Sequence, residues 1–396
     1  MKTKILGIAL FAMTLGAVVY YPSIRANTIT LDPGIEHRVT TNQRPVVDVV
    51  FVLDTTGSMS GLIETAKEKI WSIASTMASA QPTPEIRIGL IGYRDKGDAY
   101  VTRRIDLSDD LDSVYASLME FQAGGGGDTP ESVNKALYEA VHHMSWSNRD
   151  QAYQVVFLVG DAPPHMDYNE VQYPAIVNAA IEKGIVINTI QSGNLPMTVG
   201  PWNAIANLGH GKFFQVEQSG SAVAYATPYD TEIAELSARL DGTRVYYGTD
   251  AERKRMQDKV SAADEIVVTG SVTAQARRGV FNASAGGRAN LLGEKELVSA
   301  VISGDIALEE IEREALPAAM KPMAPEEQAA YIRQMAEERD DVQKRIRSLA
   351  EDRDEYLARK VEEAGGMEDS LDSKLYEAVK EQGGKAGFEY KDGPDY

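Results

Sequence analysis

Residues 45–60 read PVVDVVFVLDTTGSMS. Seven of the eight residues from Val46 to Leu53 are apolar and mostly β-branched, the composition of a buried strand. The chain then switches at once to Asp54, Thr56 and Ser58, oxygen-bearing side chains at every second position around Gly57. A helical pattern follows, with Leu62, Ala66, Ile70 and Ile73 on one face. Further along, Val155-Val156-Phe157-Leu158-Val159 is apolar at every position, as expected of a central parallel strand. Runs at Glu85–Tyr93, Ala99–Leu107, Ile185–Gln191 and Lys212–Val216 complete six strand candidates. Helical faces lie between them, at Leu111, Val114, Leu118 and Met119 and at Val133, Leu137, Ala140 and Val141. Alternating strand and helix predicts right-handed crossovers, hence an α/β, doubly wound, mostly parallel six-stranded sheet. Ala99–Leu107 follows Glu85–Tyr93 through a tight Asp95–Asp98 turn, which predicts a hairpin and one antiparallel edge strand.

Three loops carry the chemistry. Asp54-Thr55-Thr56-Gly57-Ser58-Met59-Ser60 follows the first strand, and Gly124-Gly125-Gly126-Gly127-Asp128-Thr129-Pro130-Glu131 opens a helix. Gly160-Asp161-Ala162-Pro163-Pro164-His165 follows the central strand. In an open parallel sheet, ligands bind beyond the carboxyl ends of the strands, where all three loops can meet. They offer Asp54, Thr56, Ser58, Asp128, Thr129 and Asp161, an oxygen-only set that selects a hard divalent cation: Mg²⁺ first, then Mn²⁺ or Ca²⁺. Helix capping accounts for any one of these loops but not for three oxygen-rich loops at three strand ends. His165 follows a Pro-Pro turn and reads as a surface residue, and His142-His143 sit in a helical pattern.

The three loops, in this order and on these strands, resemble the von Willebrand factor A (VWA) family. Asp54-x-Thr56-x-Ser58 is similar to the first loop of that family's metal-ion-dependent adhesion site, the MIDAS. The resemblance implies that the serine and the hydroxyl residue bind metal directly, that the aspartate often acts through water, and that Asp161 supplies the last carboxylate. The family's second-loop threonine corresponds either to Asp128 or to Thr129. The usual threonine-aspartate-glycine is replaced by Gly160-Asp161-Ala162, and the GDAPPH stretch resembles VWA domains attached to alpha-kinases. No kinase-like segment follows, so kinase activity is not implied. The resemblance covers roughly residues 45–218.

The rest of the 396 residues has a different grammar. Lys2 and Lys4 precede a 17-residue apolar run, Ile5–Tyr21, so residues 1–26 read as a signal peptide or an uncleaved membrane anchor, with 27–44 as linker. That predicts a bacterial envelope protein in the periplasm or on the outer side of the inner membrane. Residues 219–324 read as helices with a glycine- and alanine-rich linker at Gly270–Asn290 and short helices at Leu297–Ile302 and Ile306–Leu316. Pro325–Glu363 reads as one long charged helix, and 364–396 as an acidic, glycine-rich tail. Met335, Val342, Ile346, Leu349 and Tyr356 fall on a seven-residue rhythm broken by Arg339 and Arg353. This is either a weak coiled-coil seam, suited to self-association, or a solvated helix with one apolar stripe.

The formal charge of −19 argues against nucleic acid, which repels such a chain. Cysteine is absent, which removes disulfides, zinc–thiolate sites and cysteine nucleophiles. No phosphate loop follows the GGGG run, and Gly57-Ser58-Met59-Ser60-Gly61 misses the nucleophile-elbow spacing. No complete catalytic motif is present. The expected function is a metal-dependent protein-binding module in which a partner's Asp or Glu completes the metal's ligands. A metal-dependent hydrolase or phosphoesterase, and a structural envelope scaffold with a vestigial site, are the alternatives.

Overall fold

A computed structural model describes residues 44–127, 129–149, 151–218, 225–363 and 371–390. They belong to one unit, Arg44–Tyr396; the other, Met1–Gln43, holds the basic, apolar N-terminal segment and lies outside the described residues. Among the described residues no helix is long and apolar enough to cross a membrane.

Six strands form one sheet: β1 (Val46–Asp54), β2 (Glu85–Tyr93), β3 (Thr102–Ser108), β4 (Ala152–Gly160), β5 (Ile185–Ser192) and β6 (His210–Val216). Their order is β3-β2-β1-β4-β5-β6, and every pairing is parallel except the β2–β3 edge. All nine residues of β1 are buried, because both faces of the sheet are covered. Val47, Val49, Phe51 and Leu53 pack on one side with α1 (Ser60–Ala78) and α2 (Leu111–Met119). Val50 and Val52 pack on the other with α3 (Val133–His143), α4 (Tyr173–Glu182) and α5 (Pro196–Leu208). Successive crossovers leave β1 toward β2 and β4 toward β5, so the strand order reverses between β1 and β4. Asp54 ends β1 and Asp161 follows β4 at that reversal.

The antiparallel edge begins at Thr102 rather than Ala99. Tyr100 is diverted toward the crest: its hydroxyl lies 2.8 Å from Thr55 Oγ1 and its ring under the Arg94 guanidinium.

The C-terminal helices are α6 (Asp230–Asp241), α7 (Asp250–Thr269), α8 (Val272–Ala283), α9 (Arg288–Leu292), α10 (Leu297–Ser303), α11 (Pro325–Glu363) and α12 (Leu371–Lys385). Ile266, Phe281, Leu375, Val379 and Phe388 join the same core as α1 and β1. Two sequence expectations change here. Most of Gly270–Asn290 is helical, not linker: Ser271 caps α8 by accepting the Ala274 N–H. Its small residues serve close helix packing, since a Cβ on Gly279 would come within 2.9 Å of Ser237 Cβ on α6. Within Ile306–Leu316 only a single 3-10 turn, Leu308–Glu310, forms.

The stripe on α11 is used inside the chain. Val342, Ile346 and Leu349 pack against α6, α8 and α9, and Met335 against the α10 region. Arg339 and Arg353, which interrupt the heptad rhythm, are buried in the same stripe with ion partners. Arg339 meets Glu296 at 2.8 Å and Arg353 meets Asp230 at 2.9 Å. Most of the stripe is therefore packed on this chain's own helices.

Candidate functional site

The end of β1 is tied directly to its neighbours. The Thr55 N–H donates to the Tyr93 carbonyl (2.8 Å), the Gly124 N–H to the Thr55 carbonyl (3.1 Å) and the Gly57 N–H to the Gly125 carbonyl (3.2 Å). The first two loops are thereby laced backbone to backbone. Gly125 and Gly126 both take φ of +74°, a region that favours glycine, and the Gly126 N–H donates to Asp98 Oδ2 at 3.0 Å.

Asp54 is buried beneath the crest. Its Oδ1 accepts the Thr56 N–H (2.8 Å) and the Thr56 hydroxyl (2.6 Å). Its Oδ2 is buried with no hydrogen-bond partner. Burial pushes the Asp54 carboxyl up to about 7; the Thr56 bonds oppose the rise and the Asp161 carboxylate adds to it. Thr56 Oγ1 lies 3.3 Å from Ser58 Oγ, so two hydroxyls face the same space. Asp161 stands across from them. Its Oδ2 accepts from Gln218 Nε2 at 2.9 Å, and that same amide donates to the Ser58 carbonyl at 3.2 Å. Gly160 permits this closeness, because a Cβ there would overlap the Tyr93 hydroxyl and stand 2.9 Å from Asp54 Cβ.

Thr56, Ser58, Thr129 and Asp161 line one cleft of about 540 Å³ at the sheet's switch point. Asp54 lies under it, held to Thr56. Thr129 is exposed at the rim. Asp128 lies outside the described residues.

Two lining residues escaped the sequence reading. Glu131 is 3% exposed, with Oε2 buried and without a hydrogen-bond partner. Burial, then the carboxylates of Asp54, Asp95, Asp98 and Asp161, push it up to about 9. The available signal was the last residue of GGGGDTPE, a carboxylate placed where the loop turns into the helix Val133–His143. Gln218 is the other, and nothing in its local sequence marks it. His165 is buried rather than on the surface. It lies between Asp167 (2.8 Å) and Asp95 (3.4 Å), stacks on Tyr168, and does not line the cleft.

No lysine, arginine or histidine is among the described residues lining the cleft, and two buried carboxylate oxygens beside it are unpaired. Ionised, these carboxylates are costly unless a cation answers them; without one, the raised Asp54 and Glu131 carboxyls hold their protons instead. The donors are carboxylates, hydroxyls and carbonyls, which suit a hard divalent ion. Among the described residues no three His, Asp or Glu side chains converge as a metal-binding group, so any ion here would rely on the hydroxyls.

Residues 48–206 match the family model described as the von Willebrand factor A domain. The chain is 24% identical over 231 residues to the alpha-protein kinase vwkA of Dictyostelium discoideum, covering 57% of this chain and 34% of that protein. It is 36% identical over 99 residues to von Willebrand factor A domain-containing protein 7 of Mus musculus, covering 25% of this chain and 10% of that one. The chain therefore spans about a third of the first relative's length and a tenth of the second's. Among solved structures it is similar to proximal thread matrix protein 1 of the mussel byssus, solved with a zinc-occupied MIDAS motif. The TM-score is 0.34 at 16% identity, covering 43% of this chain and 42% of that one. The chain carries, over residues 48–206, a von Willebrand factor A domain.

Proposed function

We propose that this chain is a metal-dependent protein-binding module whose cleft holds one divalent cation and captures an acidic side chain of a protein partner. One observation carries the reading: Asp54 Oδ2 and Glu131 Oε2 are both buried without hydrogen-bond partners beside a cleft that, among the described residues, no cationic side chain lines. Thr56, Ser58 and Asp161 would hold the ion, with one of Asp128 and Thr129, while Asp54 and Glu131 supply charge from behind. Mg²⁺ suits this oxygen set first, then Mn²⁺ or Ca²⁺. When bound, the ion supplies an open, electropositive coordination position for an incoming carboxylate.

The chain's own residues prepare that position. Thr56 fixes the Asp54 carboxylate from two sides, and Gln218 holds Asp161 toward Ser58. The test is a crosslinking pull-down with wild type, Ser58→Ala and Asp161→Ala, each with Mg²⁺ or EDTA. Capture should vanish in EDTA and in Asp161→Ala, and weaken in Ser58→Ala. A partner retained equally under all conditions would overturn the reading.

A further inference from the structure

Away from the crest, six of the seven buried lysines and arginines among the described residues face a carboxylate at close range. Lys67 meets Glu64 (2.9 Å), Lys69 Asp372 (2.7 Å), Lys259 Asp110 (2.5 Å) and Arg278 Asp112 (2.6 Å). Arg339 and Arg353 have the partners already described. Arg277 is the exception. It is 3% exposed, yet no carboxylate among the described residues stands within 4.0 Å of its guanidinium. Its Nη1 donates to the Glu68 carbonyl at 2.8 Å, and its Nε is buried with no hydrogen-bond partner. The carboxylates of Asp372, Glu68 and Asp230 act on it only from beyond ion-pair distance, so this buried cation lacks a direct partner, and an anion beside it lowers that cost.

Space for one exists. Arg277 lines a cleft of about 290 Å³ between α1, α8 and α11, with hydroxyls on its other walls. Ser72, Ser75 and Ser79 stand on one face of the α1 end at spacings of three and four residues. The Ser72 and Ser79 hydroxyls donate to the Lys69 and Thr76 carbonyls, so they face the cleft as acceptors. Asp354 is on the wall as well. The cleft thus combines a fixed cationic donor with several acceptors. That combination suits an anion that also carries hydroxyl groups.

We infer that the Arg277 cleft binds a small phosphate-bearing molecule, with the phosphate on the guanidinium and ester hydroxyls on the Ser72, Ser79 and Asp354 side. Guanidinium pairs with phosphate through parallel charge-assisted hydrogen bonds, which is why arginine is the common choice for such groups. This site is separate from the cleft at the sheet crest and involves no metal.

The experiment is calorimetric titration of the full chain with inorganic phosphate and with glycerol 3-phosphate, against chloride at matched ionic strength. Saturable binding is expected, tighter for the ester, and weakened about tenfold or more in Arg277→Gln. Ester binding no tighter than inorganic phosphate would assign the cleft to the free ion. Ser75→Glu covers the case in which Arg277→Gln fails to fold. It places a carboxylate in the cleft, so it should abolish phosphate binding and raise the melting temperature in phosphate-free buffer. No saturable binding of either ligand, or unchanged binding in Arg277→Gln or Ser75→Glu, would overturn the inference.

Discussion

Asp54 commits one carboxylate oxygen to Thr56 alone. Oδ1 accepts both the N–H and the hydroxyl of Thr56, while Oδ2, equally buried, has no hydrogen-bond partner. The pair therefore fixes the direction of the carboxylate without neutralising it. Asp54→Asn keeps the shape and removes the charge. Its melting temperature in EDTA should equal or exceed that of wild type, and the rise on adding Mg²⁺ should disappear. A wild-type response to Mg²⁺ in scanning calorimetry would remove Asp54 from the site.

Gly160→Ala tests how closely the strand ends must approach. The new methyl would overlap the Tyr93 hydroxyl and press on Asp54 Cβ. Destabilisation of about 1–3 kcal/mol is expected, typical of overpacking. Tyr93→Phe in the same chain removes the hydroxyl and should recover part of the loss. A double-mutant cycle by urea denaturation measures this coupling, and strict additivity would contradict the packing described.

A buried ion pair anchors the C-terminal helices to the sheet domain. Arg278 on α8 contacts Asp112 on α2 through two hydrogen bonds and Asp241 on α6 through two more. Although burial opposes it, Arg278 holds the Asp112 carboxyl down at about 2. The unfolded chain takes up this proton first as pH falls, so the stabilisation is complete above the ordinary carboxylate range and is lost as pH drops through about 2. Its size is ~2 kcal/mol at most. Asp112→Ala should cost about 3 kcal/mol or more at neutral pH, because part of the Arg278 charge is left unanswered. The difference from wild type should shrink in acid, as followed by urea denaturation across pH.

The strands were legible because each is a run of apolar residues with clear ends; the observed β1, β2 and β5 lie within a residue of the expected bounds. The crest loops were legible for a related reason, since oxygen side chains directly after a buried strand have few other uses. Long-range relationships were not. Arg339 and Arg353 look like breaks in an apolar stripe, because their partners Glu296 and Asp230 lie 43 and 123 residues away in sequence. Gly270–Asn290 looks like a linker, because small residues signal flexibility locally and close helix contact only once the neighbour is known. Gln218 reaches Asp161 across 57 residues, and no local pattern encodes that contact.

Glu131 offers the sharpest separation between a structural and a metal-binding role. Its backbone is fully engaged: the N–H donates to the Pro163 carbonyl, and the carbonyl accepts from the His165 N–H and the Val133 N–H. The loop therefore holds its place without help from the carboxylate. The side chain, by contrast, is buried among Asp54, Asp95, Asp98 and Asp161, which together with burial raise it to about 9. In EDTA the folded chain keeps this proton at pH values where the unfolded chain has lost it. Stability should then fall as pH rises from the ordinary carboxylate range toward 9. Glu131→Gln cannot ionise, so it should flatten that slope and match or exceed the wild-type melting temperature at pH 8 without metal. With Mg²⁺ the order should reverse: wild type gains, and the variant binds the ion about tenfold more weakly or worse. Calorimetric titration and thermal melts across pH, with and without EDTA, read both effects. Equal Mg²⁺ affinity in the two proteins would leave Glu131 as a buried, protonated residue of the loop with no part in holding the cation.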